Sequence, residues 1–413
     1  MDFRDERLMY DFDVCCDATK FEVITAQLRS LRSRQKRPNM LQDPTWLKLQ
    51  YSIRDDAEVA IAIARVNGKV VCAAPLIKET TDRYSWQLRL PGHDFTLARF
   101  HLRQAEFLGD SILDPNEDVD IQEKFFRSIL EYCQDCDIIA FRTVAIDSIL
   151  HRLLSGQLPS FFRWRWRPRE ASTRWLVRIT GSFDDFFARE FSQHRRHELR
   201  REARHLGLSC EKGLEFSSFS HPDDVVNYFE LVDKVISDSW QGQRLGHQID
   251  QDKLIRSSQW LAENSSFRGY LLSNGDEPLA FVYGRLADGV FFPEKSGYVA
   301  SWAKFSPGKH IWYRLIEDLY SIGSVRWMDF GVFDLWYKEF WSNESYKEDG
   351  ILLLRPCTKT LFALGFSIAM RAPLRVIGNF LNRFGMQAKY RRFLYRLSRG
   401  SVRPRTKQRS NVK

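Results

Sequence analysis

A chain of 413 residues exceeds what one hydrophobic core usually organises, so two domains are expected. Hydrophobic residues at 44% and charged residues at 28% exclude the fibrous and disordered classes for most of the length. The net charge of +9 is uneven: residues 355–413 hold fifteen Lys or Arg and no Asp or Glu, which leaves −6 on residues 1–354. The globular part is thus mildly acidic, so the basic pI is no evidence for a nucleic-acid-binding protein and nucleic acid is not the expected partner. A basic end can nonetheless meet nucleic acid, anionic lipid or an acidic partner.

The start, Met1 to Arg7, lacks the charged-then-apolar pattern of an export signal. Cysteines at 15, 16, 72, 133, 136, 210 and 357 are odd in number and scattered, which suits free thiols in a reducing compartment. The longest apolar run, Leu361 to Met370, falls well short of the roughly 20 residues that span a bilayer. A cytoplasmic protein is expected, with peripheral contact at the inner face of the cytoplasmic membrane left open through residues 355–413. Cys133-Gln134-Asp135-Cys136 stands alone without a second pair or a His cluster, so no metal site is expected.

In chain order, residues 1–40 are charged and weakly periodic. Glu58 to Lys78 predicts a hairpin, because Asn67-Gly68 separates two apolar runs and both residues tolerate positive φ. Gln122 to Cys136 has helical apolar spacing and Asp137 to Phe141 is a short buried strand. A boundary falls near residues 155–172, where Arg163-Trp164-Arg165-Trp166-Arg167 suits an edge strand or a linker lying on the protein. Beyond it come a strand at Trp175 to Ile179, a helical stretch from Phe183 to Leu206 and a helix from Asp223 to Trp240. A hairpin from Arg268 to Arg285 and strands at Gly289 to Phe292 and Val325 to Phe330 follow. The order helix, hairpin, helix, strand occurs twice, which predicts a tandem duplication.

Between the last two strands lies Ser306-Pro307-Gly308-Lys309, opening a helix with apolar residues at Ile311, Trp312, Leu315, Ile316 and Leu319. Ser306 fits an N-cap and Pro307 the first helical position. The free N–H groups of Gly308, Lys309 and His310 then form a small anion cradle, with the helix dipole and Lys309 adding charge. An ordinary capped helix start would carry the same tetrapeptide. Strand alternation puts Asp329 on one face with Trp327 and Gly331, at the end of a core strand, with Tyr337 and Lys338 close behind. Such an acid can face a cleft, or it can close the loop in an ion pair with Lys338.

The succession Phe305-Ser306-Pro307-Gly308, helix, Gly323, Asp329-Phe330-Gly331, Tyr337-Lys338 resembles the acetyltransferase domain of CelD-like and FemAB-like proteins. These are GNAT-superfamily acyltransferases of envelope and exopolysaccharide biosynthesis. The Arg-rich helix Arg195 to Arg204, Ser239-Trp240 with Gly242, and Phe107-Leu108-Gly109-Asp110 agree with it, so the resemblance covers roughly residues 40–355. Two departures stand out: the longer pyrophosphate loop of GNAT enzymes is absent, and Gly331-Val332-Phe333 replaces a Gly-x-Gly.

The resemblance implies an α+β fold of two tandem GNAT-like modules, mixed sheets flanked by helices, with a basic C-terminal tail. The expected division is 1–40 as an N-terminal segment, 41–160 and 170–356 as modules, and 357–413 as the tail. The second module carries the donor site. The implied reaction moves an acyl group from acyl-CoA, a cosubstrate and not a resident cofactor, to a small-molecule or lipid-linked sugar acceptor. Acyl transfer needs a base for the nucleophile, a donor to the oxyanion and an acid for the leaving thiolate. Asp329, a backbone N–H and Tyr337 are the candidates, with Lys338 beside them. Ser306, Pro307, Gly308, Lys309 and His310 would hold the donor; Trp240, Glu294, Gly331 and Asp334 would bind acceptor. An aminoacyl-tRNA-dependent ligase of the FemAB kind and an inactive membrane-associated scaffold are the alternatives.

Overall fold

The computed structural model describes residues 10–238, 251–332 and 335–369, apart from positions 36, 38, 55, 91, 92, 115, 117, 163 and 169. The tail expected over 357–413 therefore lies outside the described residues from 370 onward.

The first half opens with β1 (Tyr10–Cys15), α1 (Ala18–Ser33) and α2 (Pro44–Ile53). The strands β2 (Ala57–Val66) and β3 (Lys69–Thr81) form the expected hairpin, with Asn67 at φ 51° and Gly68 at φ 80°, the left-handed pair a tight turn requires. A separate two-stranded hairpin follows, β4 (Trp86–Leu90) with β5 (His93–Ala98). Then come β6 (Leu102–Phe107), β7 (Ile112–Leu113), α3 (Val119–Tyr132), β8 (Ile138–Ala145) and α4 (Ile149–Ser155). Residues set apart as an N-terminal segment contribute structure from Tyr10 on: β1 pairs antiparallel with β2, and α1 packs over the sheet.

The second half runs β9 (Trp164–Trp166), β10 (Ser172–Arg178), α5 (Phe183–Glu190), α6 (Gln193–Ser209) and β11 (Leu214–Phe219). The single helix expected over 183–206 is two, because Phe191 turns extended and buries its ring while Ser192 caps α6 through Arg195 N–H. Next are α7 (Asp224–Asp238), α8 (Gln251–Glu263), β12 (Phe267–Asn274), β13 (Glu277–Ala287) and β14 (Val290–Tyr298). The chain ends its described part with α9 (Pro307–Ser321), β15 (Trp327–Val332), α10 (Trp336–Trp341), β16 (Glu344–Leu354) and α11 (Thr358–Ala369).

Twelve strands lie in one continuous order, β1-β2-β3-β6-β8-β16-β10-β15-β14-β13-β12-β11, with β7 on β3 and β9 on β16. First-half strands fill one end and second-half strands the other. The last strand, β16, is the seam: Glu344 to Glu348 pairs with β10, and Glu348 to Leu354 pairs with β8. The Trp-Arg-Trp run is β9, lying on the same end of β16 at Leu352 to Leu354. Helices cover both faces, so central strands such as β2 and β13 are buried on both sides and read as near-continuous apolar runs. The halves also share a core, since Leu49 of α2 packs with Val225, Phe229 and Leu261 of α7 and α8. Among the described residues, no helix is long and apolar enough to cross a membrane.

Each half contains one strand–helix–strand crossover with parallel strands: β6-α3-β8 and β14-α9-β15. In the first, four residues pair, Gln104 to Phe107 with Ile138 to Phe141. Phe107 and Phe141 stack at 4.7 Å between centroids at the end of this pairing, and Phe126 leans on Phe141.

Just past β6, burial pushes the Asp110 carboxyl up to about 6 against the pull of N–H and hydroxyl donors, including Ser111 N–H at 2.8 Å. With the folded-state value above the unfolded one, the contribution of Asp110 to stability is fully present below about pH 4 and is lost as pH rises through 6. Asp110→Asn is expected to raise stability at pH 7 by about 1–3 kcal/mol and to bring nothing at pH 4, checked by urea unfolding at both pH values.

Candidate functional site

Two glycine and proline positions inside strands set up the site. A Cβ at Gly284 would stand 2.1 Å from the Phe292 carbonyl oxygen, so only glycine lets β13 and β14 approach there. Opposite it, Pro293 has no N–H for the ladder. The register passes from Tyr283↔Lys295 to Gly284↔Pro293, which leaves Glu294 as the extra residue of a β-bulge. A bulge bends its strand and re-aims its side chain. Accordingly β14 pairs with β15 only at Val290↔Trp327 and Phe291↔Met328.

Beyond those two pairs the strands enclose a cleft of about 870 Å³ of empty space, open mouth included. Phe292, Glu294 and Ser296 of β14 line one wall, Phe330, Gly331 and Val332 of β15 the other, with Trp312 of α9 and Tyr337 and Lys338 of α10 also lining it. Tyr337 stacks on Trp312 at 5.6 Å and meets Phe330 edge-on, and its hydroxyl bonds to Ser296. Burial raises the Tyr337 pKa, keeping its proton at neutral pH. The Lys338 ammonium donates to the Phe330 and Val332 carbonyls at 2.6 and 2.7 Å, satisfying acceptors on the β15 edge.

Asp329 does not face this cleft. It is fully buried, and Arg174 Nε reaches its two carboxylate oxygens at 3.0 and 3.1 Å, while Gly331 N–H donates to Oδ1 at 2.8 Å. Arg174 Nη1 also donates to Glu348 at 3.1 and 3.2 Å. The loop-closing pair expected between Asp329 and Lys338 is likewise replaced by these partners. Phe330 points to the helix side of the sheet and packs on Trp312, so its neighbour Asp329 points the other way, into the ion cluster. Among the cleft-lining residues the carboxylate is Glu294, about one-third exposed.

The start of α9 differs from the expected cradle. Ser306 sits left-handed at φ 56° and makes no side-chain cap. Its carbonyl accepts the N–H groups of Lys309 and His310 at 3.0 and 3.2 Å, so two of the three expected anion donors are already used. A Cβ at Gly308 would meet the Tyr298 ring at 3.0 Å, so the glycine serves packing against β14. Lys309 pairs with Glu202 of α6, and burial, with Arg314 nearby, lowers the His310 pKa to about 4, leaving it neutral at pH 7. These residues line a second hollow of about 520 Å³ of empty space with Leu199, Arg200 and Ala203 of the Arg-rich helix. That helix turns Leu199 and Leu206 inward and Arg195, Arg200, Arg201 and Arg204 to solvent.

The structure thus gathers Glu294, Gly331, Tyr337 and Lys338 in one cleft and Ser306, Lys309 and His310 around the neighbouring one. Pro307 and Gly308 open the helix between them. Trp240 and Asp334 lie outside the described residues. Sequence reasoning did not identify Arg174, Phe292, Ser296 or Trp312 with the site. The bulge was signalled by Gly284 and Pro293, each an exception within a strand pattern.

Residues 193–348, from the start of α6 into β16, match the family described as acetyltransferase (GNAT) domain. No curated protein matches the sequence. Among solved structures the chain is similar to the crystal structure of FemX, at 13% identity and TM-score 0.56, covering 85% of this chain and 99% of that one. It is also similar to a conserved protein of unknown function from Bacteroides thetaiotaomicron VPI-5482, at 12% identity and TM-score 0.50, covering 84% and 100%. At these identities the likeness is one of fold.

Removing one partner of a buried ion cluster strands the others. Asp329→Asn and Arg174→Met are each expected to cost about 3–5 kcal/mol of stability, and the double variant less than the sum, measured by urea unfolding.

Proposed function

We propose that this protein, an acyltransferase of the GNAT superfamily, moves an acyl group from acyl-CoA to an amino sugar or another polysaccharide or envelope precursor. The observation that carries the donor side is the parting of β14 from β15. Their facing edges leave backbone groups without ladder partners beyond Phe291 and Met328, and such groups must find other partners. An extended arm with amide groups, as in the pantetheine of CoA, can supply them in the manner of an added strand. The neighbouring hollow, with Arg200 and Lys309 at its walls, suits the phosphates of the same donor. The acceptor class rests on the sequence resemblance.

In this reading Glu294 replaces Asp329 as the base. Its carboxylate takes a proton from the acceptor amine as nitrogen attacks the thioester carbon. A backbone N–H on the free edge of β14 donates to the oxyanion. When the C–S bond breaks, the thiolate receives the proton of the Tyr337 hydroxyl. Lys338 holds the β15 edge in place. Modules spanning 41–160 and 170–356, and contact of residues 357–413 with an anionic membrane, belong to the same proposal. A second reading, an aminoacyl-tRNA donor, is favoured by the exposed Arg195, Arg200, Arg201 and Arg204 on α6; its binding would fall steeply with salt.

A thermal-shift titration with CoA, acetyl-CoA and longer acyl-CoAs tests the donor. A ligand at a hundredfold excess over its dissociation constant adds about 2.7 kcal/mol, so a clear rise in melting temperature is expected. No rise with any CoA overturns the acyl-CoA donor. Tyr337→Phe keeps the ring stack and is expected to leave the CoA shift intact while lowering kcat about 100-fold, the scale of one proton-transfer group.

A further inference from the structure

The carboxylate at the bulge is held from behind by a residue that touches the other half of the chain. Arg285, three residues before the Asp288-Gly289 turn of the β13–β14 hairpin, is 3% exposed, and its Nε lies 2.6 Å from Glu294 Oε1. This contact is one of charge: Nε makes no aligned hydrogen bond, and Nη1 finds no partner among the described residues. What fixes the guanidinium is a pair of rings, Phe292 at 5.5 Å and Trp46 at 5.0 Å from the centroid. Trp46 belongs to α2, in the first half of the chain.

The same corner of the first half grips the hairpin again at its turn. Asp43 caps α2 by accepting the N–H of Trp46 at 2.9 Å and lies 3.6 Å from buried Arg32 of α1. Arg32 in turn pairs with Asp288, in the β13–β14 turn. The hairpin that creates the bulge is therefore anchored at two points by α1 and α2, and one anchor ends on the cleft carboxylate.

Resting on the acyl-transfer reading above, we infer that Arg285 is a positioning residue for Glu294, and that Trp46 of the first half completes the site by fixing Arg285. A guanidinium beside the carboxylate steers it by charge, and without an aligned N–H it does not occupy an acceptor site in a hydrogen bond. Two ring contacts on the cation, from Trp46 and Phe292, reduce the freedom an arginine otherwise has. The first half is then part of the catalytic machinery through one side chain.

Carbodiimide-driven amine labelling of Glu294, read by mass spectrometry of its peptide, tests the contact in the full chain without turnover. Labelling is expected to rise several-fold in Arg285→Met and in Trp46→Leu, to rise less in Arg285→Lys, which keeps the charge without the planar stack, and to return close to wild type in Trp46→Phe. With acetyl-CoA and glucosamine as probes, kcat falls about 100-fold in Arg285→Met and about 10-fold in Trp46→Leu, while KM for acetyl-CoA stays within about twofold. Labelling that does not change in either truncation overturns the inference. So does a loss that the conservative variants share in full, which would mark the residues as merely structural. A wild type that binds no CoA would sink the acyl-CoA reading and leave the labelling result to decide the positioning on its own.

Discussion

Three charges sealed from water hold the middle of the sheet. Arg174, Asp329 and Glu348 come from β10, β15 and β16, and each is almost wholly buried. Burying such a group is costly unless the geometry satisfies it, and here the guanidinium fork reaches both carboxylates while Gly331 N–H adds a further bond. The arrangement leaves β15 no freedom to shift along β10. It sits where β16 leaves the second half and enters the first, so the seam between the halves and one wall of the cleft are fixed by the same ions. The other wall, β14, carries the bulge. The cleft arises from that contrast, a pinned strand beside a bent one.

Much of this was legible locally and little of it at long range. Asn67-Gly68 specified its turn because two consecutive residues tolerant of positive φ leave few other conformations. The apolar spacing from Ile311 to Leu319 specified α9 because five side chains on one stripe must be buried together. Asp329 was found as a notable acid, but its partner Arg174 stands 155 positions earlier, and nothing in either neighbourhood reveals the pairing. The same distance hid the place of β16 between β8 and β10. At Ser306 the local reading failed differently: a serine before proline is a good cap by type, yet the preceding turn from Ala300 to Phe305 delivers it left-handed, with its hydroxyl unused.

The two crossovers show how one plan yields one open site. In the first half, Phe107 and Phe141 stack at the end of the parallel pairing, and α3 begins with Asp118 as cap and Asp120 in its first turn. An anion approaching that helix start meets negative charge. In the second half the strands part, and the first turn of α9 has no acid. The first crossover thus combines rings stacked across its strands with acids at the helix start, and among the described residues the second has neither. The α1–α2 corner of the first half grips the β13–β14 hairpin of the second.

Parting two strands creates a debt of hydrogen bonds that must be settled on each edge separately. On β15 it is settled within the chain, because Lys338 gives its ammonium to the Phe330 and Val332 carbonyls. That edge is closed to a ligand's amide donors at those positions. On β14 the residues past Phe291 face the cleft with no pairing to β15, and Glu294 and Ser296 stand among them. This stretch of β14, unpaired on its β15 side, lies beside the bulged carboxylate and the hydroxyls of Ser296 and Tyr337. The edge left without ladder partners is thus the one that carries the Glu294 carboxylate and the Ser296 hydroxyl, and the parting of the strands goes with the single extra residue at Glu294.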